Sequence, residues 1–426
     1  MNFKGVKIKS EFTRNTFVLV IGTVLAQLIP IINQLFLRRI YSVEDFGAMA
    51  VFLSVFSMLT IVSSLRYEAT IVLPKNDNEA ANILSLTFVI SLIFNVVVFV
   101  FVLLFKEIIT DFIGLPKKYA NYLYLLPITS FLFSFYQSLN YWLIRQKAFK
   151  ASSKNKIIRR LVEAVTQLSL GYFKIPGGLF VGDFLGNLSN ALSGLRQVFK
   201  NKFTLAQVSK MKIRFVFNKY IEYPKYNALP TLLSSAGTLL PFLFINKIYS
   251  TETVGYLDLS RMVLSIPLVF ISVTIGQVLF QQITTHQHEK KSIKKDLFNI
   301  LMLLFGIIFI EVVALYLFGD ELFAFVFGDK YVLSSQFAKI LILSFSFNFI
   351  ASTFSSVYLT FKKIKWNSIW QICYFISICS LMFFKDITVV EFLKIYVIIE
   401  VVMQSINLIM MLVIVNKYEK SIKVNA

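Results

Sequence analysis

Long uninterrupted apolar runs recur from one end of the chain to the other, and short polar stretches separate them. Most runs reach about 18 residues or more, the length a helix needs to cross a bilayer. The pattern predicts helices over 16–37, 46–65, 82–105, 121–143, 159–174 and 177–198. It predicts a second set over 227–247, 254–282, 297–318, 336–361, 367–384 and 390–415. The fifth span is the shortest. It carries Glu163 and Gln167, and a turn at Lys174–Gly178 separates it from the sixth. No segment between the runs is long enough for a separate soluble domain.

The polar stretches set the expected orientation. Basic residues gather in alternate loops: Lys4, Lys7, Lys9 and Arg14; Arg145 through Arg160; Arg196 through Lys225; Lys290 through Lys295; Lys362, Lys363 and Lys365; then Lys417, Lys420 and Lys423. Basic loops stay on the cytoplasmic side. An even number of spans with both termini cytoplasmic follows. The first run lacks a small-residue cleavage site after it and reads as a retained helix rather than a signal peptide.

A repeat divides the pattern in two. FLRRIYSVEDFG at Phe36–Gly47 aligns with FINKIYSTETVG at Phe244–Gly255, and Arg39 meets Lys247. Each copy joins the first two spans of a six-span half. The expected fold is therefore an all-α integral membrane protein of about twelve helices. Two pseudo-symmetric six-helix bundles, 1–213 and 214–426, would flank a central cavity.

Composition sharpens this picture. The chain is 57% hydrophobic and only 15% charged, yet its net charge is +20. In a soluble protein that charge would point to nucleic acid. Here it lies in loops beside apolar spans, so nucleic acid is excluded as a partner and anionic lipid is expected. Cys373 and Cys379 lie about 9 Å apart along one helix, on different faces, too far to bridge. The only histidines, His286 and His288, fall in a charged loop. No phosphate-cradling glycine loop or metal-ligand spacing occurs, so the chain does not read as an enzyme, and no cofactor is expected.

Several stretches carry a family resemblance. Pro30–Ile32 with YSVEDFG at Tyr41–Gly47, LRYEATIVLP at Leu65–Pro74, YWLIR at Tyr141–Arg145 and GLFVG at Gly178–Gly182 resemble polysaccharide flippases of the Wzx (O-antigen translocase) type. So do Val254–Tyr256 through Arg261 to Ile266–Leu268, then GQVLF at Gly276–Phe280. These flippases belong to the multidrug/oligosaccharidyl-lipid/polysaccharide exporter superfamily. The resemblance implies a MATE-like fold and a flippase for an undecaprenyl-diphosphate-linked repeat unit. Other polysaccharide-assembly proteins are candidate partners.

A diphosphate headgroup needs cations that replace its hydration, and arginine forks bind phosphate oxygens two at a time. Arg261, deep in the eighth span with Asp258 one turn before it, is the leading candidate; a local Asp258–Arg261 pair is the plainer reading. Arg66, Arg145, Arg159, Arg39 and Lys247 are candidates at the mouths, each with a plainer reading as an interfacial anchor. Glu163 and Asp183 are the carboxylates placed to bind a coupling proton or sodium ion, with Glu311 and Glu400 behind them. The glycines Gly178, Gly182, Gly186 and Gly194 read as a packing stripe. A multidrug exporter of the same superfamily is the close alternative. A membrane polysaccharide polymerase is the distant one, since every outer loop is short.

Overall fold

The computed structural model describes residues 11–424. Lys4, Lys7 and Lys9 lie outside the described residues, as do the side chains of Arg14, His288 and Lys423. Every regular element among the described residues is helical. The chain divides into two compact units, Met1–Ser235 and Ala236–Ala426.

The first unit holds α1 (Glu11–Ile40), α2 (Val43–Ser63), α3 (Asp77–Ile113), α4 (Leu125–Arg145), α5 (Phe149–Tyr172), α6 (Gly178–Lys200) and the short α7 (Lys210–Lys219). Next along the chain come α8 (Leu229–Ile248), α9 (Thr251–His288), α10 (Lys294–Phe327), α11 (Val332–Phe354), the single turn α12 (Ser356–Thr360), α13 (Ile364–Cys379) and α14 (Val389–Val424). Ten of the twelve expected spans fall mainly on one long helix each; 336–361 covers α11 and the turn α12, and 367–384 covers α13 and the short turn after it. By length and composition alone, seven helical stretches among the described residues can cross a membrane. The most apolar helices, α3 and α10, leave large side chains such as Ile108 and Phe309 exposed, 66% and 69% respectively, as a hydrocarbon-facing surface requires.

The sequence repeat is a structural repeat. Its first copy turns the corner from α1 into α2. Ser42 caps α2: the Asp45 N–H donates to Ser42 Oγ at 3.1 Å, and the Ser42 N–H donates to Asp45 Oδ2 at 2.9 Å. Tyr41 latches this corner to α5 by donating its hydroxyl to the Gln167 carbonyl, 2.8 Å away. The second copy turns from α8 into α9. Ser250 caps α9 by accepting from the Thr253 N–H at 3.1 Å, and Tyr249 donates to the Ile387 carbonyl at 2.9 Å. Both corners thus close with a serine cap and a tyrosine latch.

Two helices differ from the expected spans for a polar reason. Helix α5 begins at Phe149, ten residues before the expected 159, because Lys150, Lys154 and Lys156 hide its first turns from an apolar pattern. Helix α7 lies in what the pattern reads as a loop. It buries Val216 among Tyr67, Trp142 and Leu143, and Lys219 Nζ meets Glu79 Oε1 at 2.6 Å. Helices α4, α5, α6, α9 and α12 are each followed by a lysine in the left-handed region (Lys147, Lys174, Lys202, Lys290 and Lys362), the position where glycine is usual. A cation there complements the negative helix end, which offsets part of the backbone strain.

Helices α5 and α6 approach closely because α6 presents glycines. A Cβ on Gly182 would lie 2.3 Å from Gln167 Cγ, and one on Gly186 would lie 3.0 Å from Glu163 Cβ. The stripe therefore packs, as its spacing implies. Gly182→Val is expected to destabilise the protein by about 1–3 kcal/mol, the usual range for overpacking. Gly306→Ala, where a Cβ meets open space, should be neutral. Thermal unfolding of the detergent-solubilised protein distinguishes the two.

Candidate functional site

Two charged clusters lie inside the helical units, one in each. In the first unit, Arg159 sits well inside α5, not at its start, and Asp183 faces it from α6. Arg159 Nη2 lies 3.6 Å from Asp183 Oδ1, and the guanidinium carbon lies 5.4 Å from the centre of the Phe133 ring. Next to it on α5, Arg160 Nη1 meets Glu163 Oε2, one turn on, at 2.8 Å. The expected carboxylates Glu163 and Asp183 are thus brought together, each with an arginine, in a cluster of two cations and two anions.

The cluster continues as a polar stripe. Asp183, Asn187 and Asn190 follow one another at helical spacing on α6, all buried. Among the described residues, Asp183 Oδ2, Asn187 Oδ1, Asn190 Oδ1 and Arg159 Nε have no hydrogen-bond partner. Asn155 and Tyr136, from α5 and α4, each add another such atom. Three orphaned oxygens along one helix face form an acceptor set suited to a proton or small cation. No three His, Cys, Asp or Glu side chains converge on a metal site among the described residues.

In the second unit, Arg261 is held by α8. Its guanidinium carbon lies 4.2 Å from the centre of the Phe242 ring, and Nη1 donates to the Thr238 carbonyl at 3.2 Å. A guanidinium has five N–H donors in a fixed fork, so this arrangement leaves most of them for a ligand. Arg261 is also close enough to act electrostatically on Glu400 of α14. Glu400 is buried and accepts a hydrogen bond from Tyr374 Oη of α13 at 2.6 Å. The cluster therefore pairs one half-buried cation with one fully buried, tyrosine-bound carboxylate.

The remaining candidates are placed separately. Arg145 is committed to structure: Nε meets Asp77 Oδ1 at 2.9 Å, and Nη1 donates to the carbonyls of Pro74 and Ile71. Arg66 has left-handed backbone and lies 3.5 Å from the buried Glu68, which also accepts from Ser64 Oγ. Arg39 and Lys247 are exposed at the two repeat corners. The buried cation of the first corner is instead Arg38, 3.7 Å from the Phe46 ring centre and bonded to Gln34. Sequence reasoning passed over Arg38, which stands one turn after its partner Gln34 on α1. Glu311, midway along α10, keeps Oε2 without a partner among the described residues.

A separate cavity of about 1160 Å³ opens between α10, α11 and α14. Phe305, Ile308, Leu343, Phe347, Val397 and Leu412 give it an apolar wall, and Lys294 and Lys394 stand at its ends. It exceeds the range of an ordinary small-molecule pocket.

Comparison with known proteins bears on the fold. The chain is similar to a multidrug-resistance MATE transporter in its inward-facing conformation, with a TM-score of 0.74 and 14% identity over 95% of this chain and 99% of that one. It is similar to the lipid II flippase MurJ in an inward closed conformation, with a TM-score of 0.73 and 13% identity over 96% and 91%. A superfamily transporter from Pyrococcus furiosus, described by the reversed polarity of its binding pocket, gives a TM-score of 0.61 at 14% identity over 95% of each chain. At these identities the likeness establishes the fold, that of the superfamily expected from the motifs. No curated protein sequence matches the chain. Residues 36–336, most of the chain, match the family described as polysaccharide biosynthesis protein, and the chain belongs to that family.

Proposed function

We propose that this multi-span membrane protein is a flippase. Its substrate is an undecaprenyl-diphosphate-linked oligosaccharide repeat unit, moved from the cytoplasmic to the periplasmic leaflet by alternating access between two six-helix halves. The observation that carries this reading is Arg261: a guanidinium well inside α9, seated on Phe242, with one carbonyl partner and spare donors. An arginine inside a spanning helix is costly unless it faces a polar space or a ligand. A diphosphate diester, with two charges and several acceptor oxygens, suits its fork.

Further features support the same reading. The family is one of polysaccharide biosynthesis, and one structural relative is a lipid II flippase. The apolar cavity between α10, α11 and α14 suits a polyprenyl chain. With the cell interior negative, outward movement of the headgroup is downhill by roughly 2.3 kcal/mol per charge per 100 mV. Asp183 is the residue assigned to a coupling proton or sodium ion, since its second oxygen is buried without a partner. Arg145 serves the transport cycle only by holding the segment before α3. Both termini lie in the cytoplasm of the bacterial inner-membrane host, as the basic loops indicate.

Deletion of the gene tests the reading. Surface polysaccharide should be lost while lipid-linked repeat units accumulate on the cytoplasmic side. Normal surface glycan with new drug sensitivity would contradict it and favour the multidrug exporter. Two substitutions refine the test. Arg261→Glu should abolish complementation at normal protein level, and Arg261→Lys should restore part of it, because an ammonium keeps the charge but not the fork. Asp183→Asn alone should destabilise the protein by about 3–5 kcal/mol, since it strands a buried guanidinium. The double change Arg159→Met with Asp183→Leu should recover stability without recovering export, measured by thermal unfolding and surface glycan in parallel.

A further inference from the structure

A second, smaller cavity of about 420 Å³ lies between α5 and α6. Lys154 and Ile158 line it from α5, one turn apart. Leu192, Arg196 and Lys200 line it from α6 at successive turns, with Ser193 and Gln197 on the adjacent ridge. Its charged lining is three cations and no carboxylate. Lys154, Arg196 and Lys200 are all exposed, and none makes an ion pair or hydrogen bond among the described residues. This contrasts with Arg145, Arg159, Arg160 and Lys219, each of which has a carboxylate beside it.

The floor is ordered. Ser193 Oγ donates to Asn155 Oδ1 at 2.5 Å, and the Asn155 amide nitrogen, fully buried, has no partner. Helix dipoles do not decide the charge of the cavity. The N-terminal part of α5 contributes positive potential and the C-terminal part of α6 negative potential, and the two oppose each other. The side-chain cations therefore set it. Ile158 and the exposed Leu192 share the same wall. Cations at the helix ends with apolar side chains farther along match an amphiphile, with its phosphate among the lysines and its chain against the leucine.

We propose that this α5–α6 pocket binds the phosphate oxygens of an anionic lipid headgroup. Resting on the flippase reading, that headgroup is the diphosphate of the lipid-linked substrate, captured here apart from Arg261. Three unpaired cations match a doubly charged diphosphate better than the single charge of a phospholipid diester. The site supplies a first docking point, so its loss weakens capture while the Arg261 cluster stays intact.

The full chain in nanodiscs, examined by native mass spectrometry, tests the proposal. The probes are undecaprenyl diphosphate and phosphatidylglycerol, each titrated into wild type and into the triple variant Lys154→Gln, Arg196→Gln, Lys200→Gln. Lys147→Gln with Lys174→Gln serves as a charge control outside the pocket. The expected result is an apparent Kd for undecaprenyl diphosphate raised at least tenfold in the triple variant and less than twofold in the control, with unchanged thermal unfolding. Inorganic pyrophosphate should displace the lipid from wild type. Pocket-dependent retention of phosphatidylglycerol, with no binding of the diphosphate, would keep the phosphate site but contradict the flippase reading. Equal binding of both probes by wild type and triple variant would overturn the site and leave the flippase reading standing.

Discussion

A charge placed inside a membrane-spanning helix must be paired, solvated by a polar cavity, or matched by a ligand; otherwise it costs several kcal/mol. This constraint organises the molecule. Arg159 meets Asp183 across α5 and α6, and Arg160 meets Glu163 beside them. These contacts need helices that approach within the reach of short side chains, which the glycines of α6 allow. Packing and electrostatics thus depend on each other here: a bulkier α6 would separate the charges, and separated charges would not tolerate burial.

The second unit answers the same constraint differently. Arg261 has an aromatic face and a backbone carbonyl in close contact, while the nearby carboxylate of Glu400 is already bound by Tyr374. A fully paired arginine has little to offer an anion. An arginine oriented by a ring and left with free donors is preorganised for one. That difference separates structural cations of the chain, such as Arg145, from Arg261.

Much of the fold is legible in the sequence because apolar run length reports directly on bilayer thickness. The longest and most apolar spans, such as α3 and α10, were marked by it, and the IYS repeat marked both corners, since a serine cap and a tyrosine latch need those residue types. The start of α5 was not legible: three lysines there break the apolar pattern while remaining compatible with a helix. Helix α7 was hidden for a similar reason, being short and basic with only Val216 buried deeply. In the site, the pairing of Arg159 with Asp183 depends on the rotation of two helices about their axes, which spacing along one chain does not fix. The polar stripe Asp183, Asn187 and Asn190 leaves no mark in an apolar pattern, and its missing partners show only in three dimensions.

The central claim is that Arg261 serves to carry a diphosphate headgroup across the hydrocarbon. Purified protein reconstituted into sealed vesicles with a fluorescent undecaprenyl-diphosphate oligosaccharide tests it, using a membrane-impermeant quencher to read headgroup exposure. The account predicts that, with an inside-negative potential, the quenchable fraction rises beyond its starting value in vesicles holding the protein and stays flat in protein-free vesicles. An identical quenchable fraction with and without the protein would contradict it.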